Sequence, residues 1–163
     1  LTSYLADHLI KEQQGRGDAY RRTVLQKYTD YVDRQTDFPL TEFRSRHSAR
    51  TEAVGYGKTL MLFHMLRREL GDERFIQGLR TLYSQNRFRV AGFAAVERAF
   101  SEAAGQPLDA FFAQWVQRAG APRLQVSQAH ARPRDDGYRL TEVIEHVQEP
   151  APYELQVTLA IRI

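Results

Sequence analysis

Tyr56 is the residue whose neighbours in the sequence could support chemistry. It stands between Gly55 and Gly57, so the adjacent side chains add little bulk around its phenol. The pattern predicts that Tyr56 lies at the start of a helix from Glu52 to Gly71, where the helix dipole favours a nearby negative charge. A phenol is a protonated hydrogen-bond donor at neutral pH. Composition and spacing alone nevertheless favour a packing role for such a tyrosine.

The histidines form no recognisable metal-binding motif. No two of the five, at positions 8, 47, 64, 130 and 146, have the i, i+3 or i, i+4 spacing that directs two side chains at one metal. His8 and His64 are interpreted as packed or partly exposed helix residues. The sequence also lacks cysteine, H-E-x-x-H, a glycine-rich phosphate loop and G-x-S-x-G. It therefore predicts no metal ligands and no self-sufficient active site, and the lack of cysteine does not assign a compartment.

The elements that must position Tyr56 are predicted to be helices. The centre of the Glu52–Gly71 segment is apolar nearly all the way round, which is typical of a helix surrounded by other elements. Gly71 suits a helix end, and Asp72 and Glu73 suit the start of the next helix. Apolar spacing predicts about six helices with short joints, a multi-helix bundle. They run from Leu1 to about Gln14, from an Asp18 N-cap to about Thr36, from Glu52 to Gly71, from Asp72 to about Asn86 (with Phe75, Ile76, Leu79, Leu82 and Tyr83 inward), from near Phe93 to Gly105, and from Leu108 to Gly120.

The segment from Asp37 to about Thr51 has no clear period. It contains Pro39, a lone Phe43 and the basic pair Arg44 and Arg46. It is interpreted as an irregular connection with at most one short turn. Long ordered loops are more often functional than short ones, although solvated surface charge is the simpler interpretation of the two arginines.

The pattern changes after Gly120. Tyr153 to Ile163 alternates strictly between apolar and polar residues, which predicts a half-buried strand. Leu124–Val126 and Tyr138–Leu140 are shorter candidates, with Asp136-Gly137 as a hairpin turn. The predicted fold class is therefore mainly α, with a small antiparallel β segment after the bundle. The predicted domains are 1–120 and 121–163, the second a truncated sheet whose open edge could pair with further chain or another copy.

The bulk composition excludes several classes of protein. Of 163 residues, 42% are hydrophobic and 26% charged, which is ordinary for a globular protein. The net charge of +3 is small and its basic residues are scattered, so no nucleic-acid partner is predicted. No apolar run approaches the ~20 residues that a membrane span needs. Because both ends read as the middle of an element, the chain is expected to be a piece of a longer protein.

Three segments together resemble a known family. Val54–Lys58, followed by Phe63–Asp72 and Phe75, resembles the Tyr-acidic-Lys-Gly helix start of the zinc aminopeptidases related to aminopeptidase N and leukotriene hydrolase, the gluzincin type. Leu1–His8 looks like the chain just after that family's Asn-Glu-Gly motif. The segments Phe111–Trp115 and Gly120–Pro122 look like its exit into a β-sandwich. Gly57 and Thr59 depart from the pattern, because the family usually has an acid and a glycine there.

The resemblance implies a specific role for Tyr56. In the family this tyrosine donates a hydrogen bond to the oxyanion formed during peptide hydrolysis, whereas Lys58 and Glu52 are interpreted as structural. Residues 1–120 would be the helical part of the catalytic domain and 121–163 the start of a β-sandwich. The parent protein would use zinc and a peptide substrate, with the zinc ligands in the preceding part of the catalytic domain. The chain alone is then expected to bind no catalytic zinc and to be inactive, and the sequence assigns no substrate-binding residue.

Two alternatives remain open from the sequence. The chain could be a non-catalytic helical module that binds partner proteins. It could also belong to a family member whose upstream zinc motif has decayed. An H-E-x-x-H about twenty to thirty residues before Leu1 is expected only if the parent is an active enzyme.

Overall fold

The chain divides into a helical unit and a β unit. The computed structural model describes residues 1–148 and 151–157. The two compact units are Leu1–Gly120 and Ala121–Ile163. The first is built from helices and the second contains a two-stranded antiparallel sheet. This is the predicted fold class, mainly α with a small antiparallel β segment. Among the described residues, no helix combines the length and apolarity needed to cross a bilayer.

The helical unit contains α-helices joined by shorter π- and 3-10-helical turns. A π-helical turn, Ser3–His8, leads into α1, Leu9–Gln13, and then α2, Gly17–Tyr31. A 3-10 turn, Leu40–Glu42, precedes α3, Ala49–Glu52, which continues through a π-helical turn, Ala53–Lys58, into α4, Thr59–Asn86. The last segments are α5, Phe93–Ala104, and α6, Asp109–Phe112, with a π-helical turn, Ala113–Gln117.

The bounds of α2 differ from the prediction at both ends. The N-cap is Arg16, whereas Asp18 lies inside the first turn and its carboxylate pairs with Arg21. The helix ends at Tyr31, five residues before the predicted end. Asp33 explains the early stop, because its carboxylate accepts hydrogen bonds from the backbone N–H groups two and three residues further on. Such a local turn competes with continued helix.

The predicted helix end at Gly71 is a kink that divides α4 into two helices. Gly71 has φ 77° and ψ 165°, which is not helical, and the second helix follows directly. Glycine adopts positive φ without the steric cost that a Cβ atom would add. The predicted change of direction between Gly71 and Asp72 is therefore correct, although no loop intervenes.

The first half of α4 is the centre of the core. Its buried side chains are Leu60, Leu62, Phe63 and Leu66, each at most 2% exposed, and Leu70, 9% exposed, as expected for a helix that is apolar nearly all round. Beyond the kink the apolar stripe is narrower than predicted. Phe75 and Leu82 are buried, whereas Ile76 and Tyr83 are 46% and 67% exposed. Each exposed residue directly follows a buried one, so it faces about 100° away from the core.

A buried carboxylate, Asp37, joins distant parts of the helical unit. Its Oδ2 atom accepts hydrogen bonds from the Tyr28 hydroxyl, at 2.7 Å, and from the backbone N–H of Gly120. Nζ of Lys58 lies 3.6 Å from the same oxygen, an ion-pair distance, and the two charged side chains are 11% and 4% exposed. Burial lowers the pKa of Lys58, although the carboxylate opposes this shift. Asp37 thus ties α2, the irregular connection, the Tyr56 segment and the end of the helical unit together.

The β unit contains one hairpin in the described residues. Strand β1, Leu124–Arg134, pairs antiparallel with β2, Gly137–His146, and a bulge lies between Val126 and Gln128. The hairpin turns at Asp135 and Asp136, one residue before the predicted Asp136-Gly137 turn. The predicted strand Tyr153–Ile163 is wrong for residues 153–157, which form no strand, and its remainder lies outside the described residues. Alternation shows which face a strand would bury, but a strand also needs a neighbour to accept its hydrogen bonds.

We predict that Asp37→Ala strongly destabilises the helical unit. The substitution leaves the buried Lys58 ammonium without its counterion, which costs about 3–5 kcal/mol in the free energy of unfolding. Urea denaturation of the purified chain measures the loss. The matched control is Asp30→Ala, an exposed carboxylate on α2, which should change the unfolding free energy by no more than about 0.5 kcal/mol. Equal losses in the two variants would contradict the role assigned to Asp37.

Candidate active site

Tyr56 lies inside a continuous helical segment rather than at its start. The segment begins at Ala49, where Ser48 and Thr51 form a reciprocal capping box. Tyr56 follows about two turns later, in the π-helical turn Ala53–Lys58. The prediction that the helix dipole favours a negative charge beside Tyr56 is therefore wrong, because the effect of the dipole falls off within the first turn. Single π-helical turns within α-helices are frequent at functional sites.

The phenol of Tyr56 is accessible, and its ring rests against Phe43. Tyr56 is 45% exposed. The two ring centroids are 5.7 Å apart and the ring planes meet at 84°, an edge-to-face contact. Gly55 was expected to leave space around the phenol, but it leaves space for Phe43 instead. A Cβ atom at Gly55 would lie 2.1 Å from Cε2 of Phe43. The missing side chain makes room for the Phe43 ring on the backbone next to Tyr56.

A groove of about 300 Å³ opens beside Tyr56. The residues that line it come from the first helical turn, from α2 and from the Tyr56 segment, with Arg46 from the irregular connection. They are Thr2, Ser3, Asp7, Tyr20, Thr23, Val24, Lys27, Arg46, Glu52, Ala53, Tyr56, Gly57 and Leu60. The tyrosine predicted as catalytic therefore lies at a concave surface that a ligand could enter.

The charged residues near Tyr56 pair with one another. Glu52 lies between two cations, with Lys27 Nζ at 3.2 Å and Arg46 Nη1 at 3.4 Å. All three side chains are at least one-third exposed, so these ion pairs contribute little to stability. Lys58, two residues after Tyr56, points instead to the buried carboxylate of Asp37.

A second polar cluster lies elsewhere in the helical unit and joins residues far apart in sequence. His8, Glu12 and His64 each place a nitrogen or carboxylate oxygen within 4.8 Å of the others. The two imidazole rings are 5.2 Å apart, centroid to centroid. The interpretation that the histidines stand alone is therefore wrong for this pair. Spacing rules find two ligands on one helix, whereas these two come from different helical segments.

Arg21 already occupies the centre of this second cluster. Its Nη1 atom is 2.7 Å from Nε2 of His8 and 3.7 Å from a carboxylate oxygen of Glu12. A guanidinium can only donate, so Nε2 must accept and the His8 proton must reside on Nδ1. The Nδ1 atoms of His8 and His64 are both buried, and neither has a hydrogen-bond partner. The cluster has the residue types of a metal site, but an arginine holds the His8 lone pair that a metal would need.

Both histidines of the cluster favour the neutral form. Burial is the main cause of the lowered pKa of His8. Burial also lowers the pKa of His64 to about 4, with further lowering by Arg21, His8 and Arg68 and an opposing effect of Glu12. Two neutral imidazoles beside arginines form a polar packing contact.

Part of the chain is similar to an aminopeptidase. The relative is aminopeptidase N of Lactococcus lactis subsp. lactis, which is 36% identical to this chain over 70 residues. The match covers 43% of this chain and 8% of the aminopeptidase, so the matched region spans less than a tenth of the length of that relative. No family model matches the chain. The similarity defines a peptidase-related region.

The sequence singles out Tyr56 as a candidate but assigns no role to Phe43 or Asp37. Phe43 is only a lone aromatic in an irregular connection, although a large apolar residue in such a segment is a signal for an anchor. Asp37 is the first residue of that connection. His8 and His64 carried no signal, because their proximity depends on how the first helical segment packs against α4.

We predict that His64 makes the chain less stable in acid. Its folded pKa of about 4 lies below the ordinary value of 6.5, so the unfolded state binds more protons between these two pH values. Stability is then full above about pH 6.5 and declines toward pH 4. The loss is at most about 3 kcal/mol, and less because solvent reaches the ring.

Urea denaturation at several pH values measures this effect. His64→Gln should flatten the decline between pH 6.5 and 4 relative to the unmodified chain. The control His130→Gln changes an exposed histidine of β1 and should keep the original slope. An unchanged slope in His64→Gln would disprove the titration assigned to His64.

Proposed function

We propose that the chain is the helical part of the catalytic domain of a zinc-dependent aminopeptidase, followed by the start of its next domain. In this proposal Tyr56 donates a hydrogen bond to the carbonyl oxygen of the attacked peptide bond. The observation that carries the proposal is an accessible phenol at a groove, in a chain with a region similar to aminopeptidase N. The parent protein removes residues from the amino terminus of peptides.

Tyr56 suits a role as an oxyanion donor for simple physical reasons. Negative charge develops on the carbonyl oxygen when the peptide bond is attacked, and a fixed O–H donor stabilises that charge more than it stabilises the ground state. The ring packs edge-to-face against Phe43, and Tyr56 is one of the residues that line the groove. The donor therefore needs little reorganisation when the charge appears.

The zinc of the proposed enzyme is expected to be bound by residues that precede Leu1. Zinc would polarise the carbonyl and activate a water molecule. The chain's own contribution is a hydrogen-bond donor and one wall of the cleft. The His8–Glu12–His64 cluster does not line the Tyr56 groove, and its His8 nitrogen is held by Arg21. We therefore do not assign the cluster as the catalytic metal site.

The first prediction of this proposal concerns the hydroxyl of Tyr56. In the full-length enzyme, Tyr56→Phe should lower kcat by about 10²–10³-fold, because one oxyanion donor is lost. Zinc content, measured by elemental analysis, should not change. Tyr83→Phe is the matched control, since Tyr83 is 67% exposed on α4 and does not line the groove. Unaltered turnover of Tyr56→Phe would end the catalytic assignment.

A second prediction concerns the chain by itself. The purified 163-residue chain should show no peptidase activity and no stoichiometric zinc, because the proposed ligands are elsewhere. Activity assays and elemental analysis after dialysis test both statements. If one zinc per chain is found, His64→Ala shows where it is bound: loss of the metal places it at the His8–Glu12–His64 cluster and contradicts the assignment made above for Arg21.

A further inference from the structure

Phe43 touches both the backbone and the ring that present the Tyr56 hydroxyl. Its ring occupies the space where a side chain of Gly55 would be, with Cε2, Cδ2 and Cζ at 2.1, 2.3 and 2.5 Å from an ideal Cβ position. The same ring meets the Tyr56 ring edge-to-face. A single side chain thus packs against the peptide unit before Tyr56 and against the phenol itself.

The segment that carries Phe43 is anchored on both sides. The Phe43 N–H donates to the carbonyl of Leu40 at 3.2 Å, and Leu40 is 2% exposed in the core. After Phe43, the Arg44 guanidinium donates to the carbonyl of Thr41 at 2.8 Å. Further along, Ser48 caps α3. Phe43 is therefore supported by ordered backbone and can act as a fixed wall.

An exposed tyrosine without such a wall samples several staggered rotamers. Each rotamer moves the hydroxyl by several ångströms, and a misplacement of about 1 Å can cost about 10²-fold in rate. The edge-to-face contact selects orientations that keep the two rings together. We propose that Phe43 is a positioning residue that orients the Tyr56 phenol toward the groove, an inference that rests on the function proposed for Tyr56.

A double-mutant cycle in the full-length enzyme tests the proposal. Phe43→Ala should lower kcat by about 10- to 100-fold with little change in KM, because the contact serves the developing charge and not substrate binding. In the Tyr56→Phe background the same substitution should have no further effect on kcat. Phe43→Leu, which keeps apolar bulk, should restore part of the rate and serves if Phe43→Ala does not fold.

Gly55→Ala tests the same contact from its other side. The added methyl displaces the Phe43 ring and should lower kcat as Phe43→Ala does. In the Phe43→Ala background, Gly55→Ala should have little further effect on kcat, because both the clash and the positioning contact are already gone. If Phe43→Ala lowers kcat equally with and without the Tyr56 hydroxyl, or raises KM at unchanged kcat, Phe43 is not a positioning residue.

A spectroscopic measurement on the 163-residue chain separates this inference from the proposed function. The ring protons of Tyr56, assigned by their loss in Tyr56→Phe, should be displaced by the ring current of Phe43. Phe43→Leu should return them toward random-coil positions, while thermal unfolding shows whether the fold is retained. If Tyr56→Phe leaves turnover intact, the proposed function fails and this measurement alone decides whether Phe43 orients the ring. Unmoved resonances would overturn the inference.

Discussion

The architecture of the helical unit depends on one buried charge. The carboxylate of Asp37 would be costly to bury alone, and it is compensated by the Tyr28 hydroxyl, the Gly120 N–H and the Lys58 ammonium. These partners lie up to 83 residues from Asp37 in the sequence. Each partner has to be in place for the charge to be tolerated, so the interaction fixes the helix that carries Tyr56 relative to α2. The position of Tyr56 therefore depends on the buried Asp37 interaction.

Tyr56 is then presented by a local arrangement with three parts. The π-helical turn Ala53–Lys58 places Lys58 toward Asp37 and leaves the Tyr56 side chain accessible. Gly55 permits the close approach of Phe43, and Phe43 supports the phenol. Lys58 and Tyr56 lie only two positions apart on the same helical segment. The burial of Lys58 and the exposure of Tyr56 are therefore linked.

The elements that were predicted correctly are those that local physics determines. Apolar spacing located α5, and the positive-φ requirement located the kink at Gly71. The start of the Tyr56 helix was misplaced because Ser48 and Thr51 form their capping box in a stretch without apolar period. The importance of Asp37 and Phe43 could not be read from the sequence, because both act through residues that only the tertiary fold brings near.

The two polar sites of the helical unit show why residue types alone rank candidates poorly. By composition, His8, Glu12 and His64 form a typical metal-binding set, whereas Tyr56 is one tyrosine among eight. The contacts of these residues in the structure favour Tyr56 over the cluster. Arg21 holds the nitrogen of His8 that a metal would need, and burial keeps His64 neutral. Tyr56 lines one groove, and Glu12, Arg21 and His64 line another of about 430 Å³. The two sites differ in exposure, because Nδ1 of His64 is buried whereas Tyr56 is 45% exposed. A group can act on a ligand only where its donor or acceptor is accessible, and by that criterion the single phenol is the stronger candidate.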